Sequence, residues 1–274
     1  MRKRFLYVLL AYLAAVNPAL SDETNSKIDT LLATTEVDNS IQRLERKIRT
    51  DLSEEDLTRP EQALSTSEKD LYLEKLSEAI LTSRVKDYLV KALSEEEISQ
   101  LIDFYQQPLA RKLTVLDRPY EKPEQLKSQY DFFNFLDQHI PPKARIQLIN
   151  QVEEASLTTE SQLYLKANVF QERAKAKLIY FDKYDDENKQ KLEYQISSFK
   201  DTVEHNLRNA NRLDLQFRYR ELSDEELQQI LVLHQNPLRR KFVMALTEAI
   251  TLAMRAGVNT GITNVLRLRN DPKS

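Results

Sequence analysis

The stretch "LSEEEISQLIDFYQQPLARKL" (residues 93–113) decides the fold, because almost the same words return as "LSDEELQQILVLHQNPLRRKF" (residues 222–242), 129 positions later. In the first copy Ser94 is followed three residues on by Glu97. That spacing makes a capping box: the serine oxygen accepts an orphan N–H at a helix start, and the carboxylate reaches back to the serine's own N–H. Leu93 and Ile98 flank the box as a hydrophobic staple, and Leu222, Ser223, Glu226 and Leu227 repeat all four parts. Additional acids in the first turn (Glu95 and Glu96; Asp224 and Glu225) suit the positive end of the helix dipole.

Ile98, Leu101, Ile102 and Tyr105 then share one helical face, as do Leu227, Ile230, Leu231 and His234. Pro108 disfavours helical geometry in the residue before it and suits the first turn of a new helix. Gln107-Pro108 and Asn236-Pro237 therefore predict a cap followed by a first residue, with Asn236 the better cap by chemistry. Each segment reads as helix, sharp corner, helix.

Composition extends this reading to the whole chain. Gly257 and Gly261 are the only two glycines among 274 residues. Tight hairpins and phosphate-cradling loops need glycine, so few such features are expected. Strong helix formers (Glu, Lys, Gln, Leu, Ala, Arg) dominate nearly every segment. The expected fold class is all-α: two tandem helical-bundle units related by internal duplication and preceded by a signal peptide.

That leader is "MRKRFLYVLLAYLAAVNPALS". Arg2, Lys3 and Arg4 precede an uncharged apolar run from Phe5 to Val16, Pro18 breaks the helix, and Ala19-Leu20-Ser21 places small residues at a cleavage site. Twelve apolar residues are short for a membrane span, although an uncleaved inner-membrane anchor is the alternative. With no cysteine in the chain, a lipoprotein anchor and disulfides are excluded. Removing residues 1–21 takes away three cations and no carboxylate, so the formal net charge moves from −3 to −6. A mildly acidic surface argues against nucleic acid as a partner. The expected location is the periplasm of a Gram-negative bacterium, or secretion, with no membrane span after signal removal.

Ile28, Leu31, Leu32, Ile41, Leu44 and Ile48 give helical spacing, with a break expected near Asp38-Asn39. Residues 52–70 contain Pro60 and read as a connector. Tyr72 to Leu89 predict one long amphipathic helix feeding the first segment. Four prolines between Asp117 and Pro142, with an aromatic run, mark a junction over 117–141, where Phe132, Phe133 and Phe135 are expected to pack a short helix onto the body. The second half starts at Pro142, which suits the first turn of a helix. Its "RIQLINQVEEA" matches the "KIDTLLATTEV" of the first half in spacing and chemistry, and Leu192 to Phe217 predict a long helix. The units expected are thus 22–116 and 142–274, the second ending in a C-terminal helix.

Capping and packing leave some shared positions unexplained: Gln106 with Gln235, and Arg111-Lys112 with Arg240-Lys241. Cations in an opening turn oppose their own helix. Either they lie near the carboxyl end of the preceding helix, or they meet an acidic partner. Gly257 and Gly261 have the spacing that lets two helices approach closely. They mark either a buried terminal helix, a frayed loop after Ala256, or a docking surface for a protein partner or a second copy. These eight residues are the candidate interaction positions.

The first segment resembles the signature of the bacterial secreted-protein family known as domain of unknown function 2059. Leu93, Glu97, Phe104, Tyr105, Pro108 and Lys112 match that pattern, and Glu226, Pro237 and Lys241 match it in the second copy. Gln107 and Asn236 replace the family's serine, while Ala110 and Arg239 replace its glycine. Leu233 and His234 stand where aromatics are expected. The resemblance implies an exported helical protein with two degenerate copies and supplies no catalytic residue.

Chemistry-bearing motifs are sparse. His139, His205 and His234 are not at metal-ligand spacing, and His234 reads as a partly buried packing residue. Asp185-Asp186 reads as a solvated corner. No nucleophile elbow, glycine-rich phosphate loop or zinc-protease helix occurs, and no cofactor is expected. The functional expectation is a non-catalytic envelope protein with a structural or protein-interaction role. An envelope-polymer hydrolase with a site assembled between helices, and a secreted factor acting on another cell, are the alternatives. A deep polar cleft with converging carboxylates or histidine would mark the enzyme, and a flat apolar patch involving the C-terminal helix would mark the interaction protein.

Overall fold

The structure, a computed structural model, describes residues 18–58, 64–118, 120, 122–136 and 138–270, with the backbone alone at 18–22, 53–58 and 180. Residues 1–17 of the expected export signal lie outside it. All regular elements among the described residues are α-helices. The first half holds α1 (Pro18–Thr34), α2 (Val37–Thr58), α3 (Thr66–Glu74), α4 (Glu78–Ala92), α5 (Glu95–Gln106) and α6 (Pro108–Leu116). Then come α7 (Pro123–Leu136), α8 (Lys143–Ser156), α9 (Thr158–Tyr180), α10 (Asp186–Arg218), α11 (Asp224–Gln235) and α12 (Pro237–Asn270).

Both capping boxes form. The Ser94 N–H donates to Glu97 Oε2 (2.9 Å) and the Glu97 N–H to Ser94 Oγ (3.2 Å); Ser223 and Glu226 make the same pair at the same distances. At the corners Asn236 Oδ1 accepts the Arg239 N–H (3.0 Å), whereas the longer Gln107 side chain caps nothing. A third box, Ser65 with Glu68, opens α3. Its Ser-x-x-Glu spacing stood in the sequence, inside a stretch assigned to the connector.

Two hydrophobic clusters form the core, and they do not follow the division of the chain into 22–116 and 142–274. The first gathers Ile28 and Leu31 of α1, Val85 and Leu89 of α4, and Ile98 and Leu101 of α5. It is closed by Phe242, Met254 and Val258 of α12. The second gathers Ile149 and Val152 of α8 with Leu227 and Ile230 of α11, and Leu113 of α6 joins it. Leu113 and Phe242 hold the same position in the two segments. Each segment therefore leaves its first helix in its own half and sends its second helix, across the proline corner, into the core of the other half. Sequence periodicity marks which face of a helix is apolar but not which helix will cover it.

Polar contacts follow the same exchange. Lys112 Nζ of α6 meets Glu226 Oε1 of α11 (2.5 Å), and Lys241 Nζ of α12 meets Glu97 of α5 (2.6 and 2.8 Å). Exchanging equivalent positions of the two segments, 112 for 241 and 226 for 97, turns one pair into the other. The opening helices also dock alike: Lys27 of α1 pairs with Glu95, and Arg145 Nη1 of α8 with Asp224 Oδ1 (2.6 Å). Glu95 and Asp224 are the equivalent first residues of α5 and α11.

Several expected boundaries move. The first break falls at Thr35-Glu36, and α2 continues to Thr58, well into the expected connector. The single helix expected from Tyr72 to Leu89 is broken between Glu74 and Glu78, where the Glu78 N–H donates to Glu45 Oε2 of α2 (2.8 Å). A carboxylate 33 residues away supplies that cap, which no local pattern could announce. Corners with positive φ occur after all, at Glu36 (57°), Leu157 (66°) and Asp182 (53°), and neither glycine takes one. Phe132 and Phe133 pack on Phe217 (ring centres 5.4 and 6.5 Å) as expected of the short helix α7. Phe135 instead stays 52% exposed, stacked on His139 at 4.0 Å.

Two predictions follow from this packing. A zero-length carbodiimide crosslinker should join Lys112 to Glu226 and Lys241 to Glu97 within one chain, read by peptide mass spectrometry. Crosslinks from Lys112 to Glu97 instead would deny the exchange of helices. At Gly257 an added Cβ would lie 2.5 Å from Leu76 Cδ2 and 2.7 Å from the Lys75 carbonyl. Gly257→Ala gains about 1 kcal/mol of helix propensity but overpacks a site where backbone must move, at about 1–3 kcal/mol. The expected result in a urea titration is net destabilisation.

Candidate functional site

The eight candidate interaction residues do not converge. Lys112 and Lys241 face each other's halves and carry the ion pairs above, so the acidic partner of these cations is the other copy of the segment in the same chain. Arg240 Nη1 donates to the Ala155 carbonyl (3.3 Å) at the carboxyl end of α8, a favoured place for a cation, though on a different helix from the one expected. Gln106, Arg111 and Gln235 are exposed. Gly257 and Gly261 are buried, the first against Leu76 in the break after α3 and the second against Tyr72 of α3. Their close approach is made within the chain, on the buried side of α12, and α12 runs unbroken past Ala256 to Asn270.

A polar pair is enclosed where the segments meet. His234 (2% exposed) and Arg239 (8%) stand where the first copy has Tyr105 and Ala110. Neither His234 ring nitrogen, nor Arg239 Nη1, has a hydrogen-bond partner. Burial, reinforced by the Arg239 charge, holds the imidazole well below the usual histidine range, so the ring is neutral at pH 7. Tyr105 packs edge-on against Phe242 with ring centres 5.9 Å apart. Burial pushes its phenol up, against the opposing pull of the Arg239 charge. The packing role expected for His234 holds, but its enclosure is complete rather than partial.

A second feature is a cleft of about 660 Å³ between α2, α3, α9, α10 and α12. Leu44 and Ile48 of α2, Tyr72 of α3, Leu165 and Val169 of α9 and Met254 of α12 make an apolar floor. Phe170 stacks on Phe199 at one wall, with ring centres 5.4 Å apart and planes 11° apart. Among the described residues Lys47, Lys166, Arg173 and Lys177 also line it, with Asp51, which Lys47 contacts at 2.9 Å. The sequence signal of α9 is Leu165, Val169 and Phe170 at helical spacing, but of the other walls only α10 is its neighbour in the chain, while α2, α3 and α12 are distant from it.

Unlike the cleft, the enclosed imidazole gives a direct pH prediction. The unfolded chain protonates His234 near pH 6.5 while the folded chain resists, so the unfolded state binds the extra proton. Stability should then be intact above pH 6.5 and fall as pH drops below it, by up to about 1.4 kcal/mol per unit. His234→Phe should remove that component in urea titrations between pH 7.5 and 5.5. Exposed His139 and His205 offer no comparable burial.

Comparison with known proteins places this geometry in context. No curated protein and no solved structure matches the chain. Residues 79–117, which run along α4, α5 and α6, match the family model described as "Uncharacterized protein conserved in bacteria (DUF2059)". Over that stretch, the first of the two segments and the helix leading into it, the chain is similar to this bacterial family.

Proposed function

We propose that the protein is an exported, non-catalytic binding protein of the bacterial envelope, acting through the cleft between α2, α3, α9, α10 and α12. One observation carries this reading: the cleft is concave and apolar-floored, of a size suited to a small molecule. It includes Met254 and Val258 of the C-terminal helix, and its described lining is mainly apolar. The basic start, apolar run and small-residue site of the first 21 residues support export. The bacterial family match supports a bacterial setting.

In the same reading, the two halves descend from one ancestral unit. The capping boxes, the proline corners and the crossed lysine–glutamate pairs all share the 129-residue register. Contacts that map onto each other when the copies are exchanged have the form of a two-fold interface within one chain.

The test is recovery of the protein from the envelope compartment, followed by denaturation and extraction into organic solvent. Mass spectrometry should find an apolar molecule carried by the native protein and missing from Val169→Trp, whose indole fills the floor. Identical extracts from two folded proteins would overturn the cleft as the binding site. Recovery from the cytoplasm alone would overturn export.

A further inference from the structure

We infer that the polar pair enclosed where the two segments meet, His234 and Arg239, binds one small inorganic anion of the size and charge of chloride. This site is separate from the cleft and does not rest on the binding role proposed for it. The two side chains stand on either side of the Asn236-Pro237 corner, His234 in the last turn of α11 and Arg239 in the first turn of α12. Both are more than nine-tenths buried. Among the described residues, six buried side-chain nitrogen and oxygen atoms have no hydrogen-bond partner, and three of them belong to this pair: Nδ1 and Nε2 of His234 and Nη1 of Arg239. Orphaned polar atoms are thus concentrated at one place, on two side chains that feel each other's charge.

The chemistry of these atoms selects the ligand. A guanidinium nitrogen only donates and stays charged at every accessible pH, and a neutral imidazole donates from one of its nitrogens. An enclosed charge is costly unless an opposite charge neutralises it. No described residue forms an ion pair with Arg239. Its charge does reach Tyr105 of α5, and Asp117 and Tyr219 at the ends of α6 and α10. Asp117 is engaged elsewhere: its Oδ1 accepts the Tyr219 hydroxyl at 2.8 Å, and Arg218 acts on it more strongly than Arg239 does. A water molecule would satisfy the donors and leave the charge, whereas an anion answers both. The first turn of α12 adds the favourable end of a helix dipole. In the first segment Tyr105 and Ala110 hold the equivalent positions, so one site per chain is expected. The enclosure restricts the ligand to a few atoms.

The experiment is thermal unfolding of the full chain at pH 7.5 in sodium chloride and in sodium gluconate at matched ionic strength. Chloride should raise Tm along a saturating curve, by about 3–6 °C at a tenfold excess over its dissociation constant. Gluconate is too large to enter and should give no such curve, while bromide should replace chloride. In Arg239→Ala the chloride and gluconate results should coincide. His234→Tyr/Arg239→Ala, which installs the residues of the first segment, should behave in the same way, and it takes over should the single variant fail to fold by circular dichroism. Coincident results for the unaltered protein in the two salts would mean that the pair holds water alone, and would overturn the anion site. A chloride effect that persists in the variants would belong to the outer surface and would overturn it equally.

Discussion

The fold depends on the sharp corner that a proline imposes at 108 and again at 237. A proline cannot continue the helix before it, yet it is well placed to start the next. With the first helix of each segment fixed by a serine cap and a leucine staple, the second has to leave in a new direction. In both copies that direction leads into the other half. The first core is then incomplete until α12 arrives with Phe242, Met254 and Val258, and the second until α6 arrives with Leu113. Burying a large apolar side chain contributes about 1.5–3 kcal/mol, so neither half closes well without the other's helix.

The exchange explains a feature that looked like a recognition motif. A lysine in the first turn of a helix opposes the helix dipole. Here Lys112 and Lys241 offset that by reaching the capping glutamates of the opposite copy. Glu97 and Glu226 thus act twice, closing a cap within their own segment and meeting a cation from the other. Those carboxylates are held below their usual range, first by the partner lysine and then by the capped serine's N–H. The pairs are exposed, so what they contribute is register more than stability.

Departures between the copies are as informative as the matches. Ala110 is small and buried in the first copy, while the equivalent Arg239 brings a charge into the same kind of place. Where the first segment has Tyr105 the second has His234, which lies buried without a hydrogen-bond partner. Such a pair is costly to enclose, and it sits away from the cleft. The cleft arises elsewhere, where α9 and α10 of the second half lie against α2 and α3 of the first with α12 between them. Gly257 and Gly261 serve it indirectly by letting α12 come within van der Waals range of the α3 backbone.

The sequence by itself determined the helices of the two segments, their caps, the proline corners and the all-α class. Each of these rests on residues within about four positions of one another, where spacing alone fixes the geometry. It also marked Lys112, Lys241, Gly257 and Gly261 as unusual without saying what they meet. Tertiary structure decided the rest: the cap on α4 from Glu45, the break that lets α12 pass, the crossing of α6 and α12, and the cleft. These depend on partners far apart in the chain, as with Lys241 and Glu97, separated by 144 positions. Helical periodicity records that a face seeks cover and a charge seeks a partner. Only the closing of both cores at once selects which helix provides them.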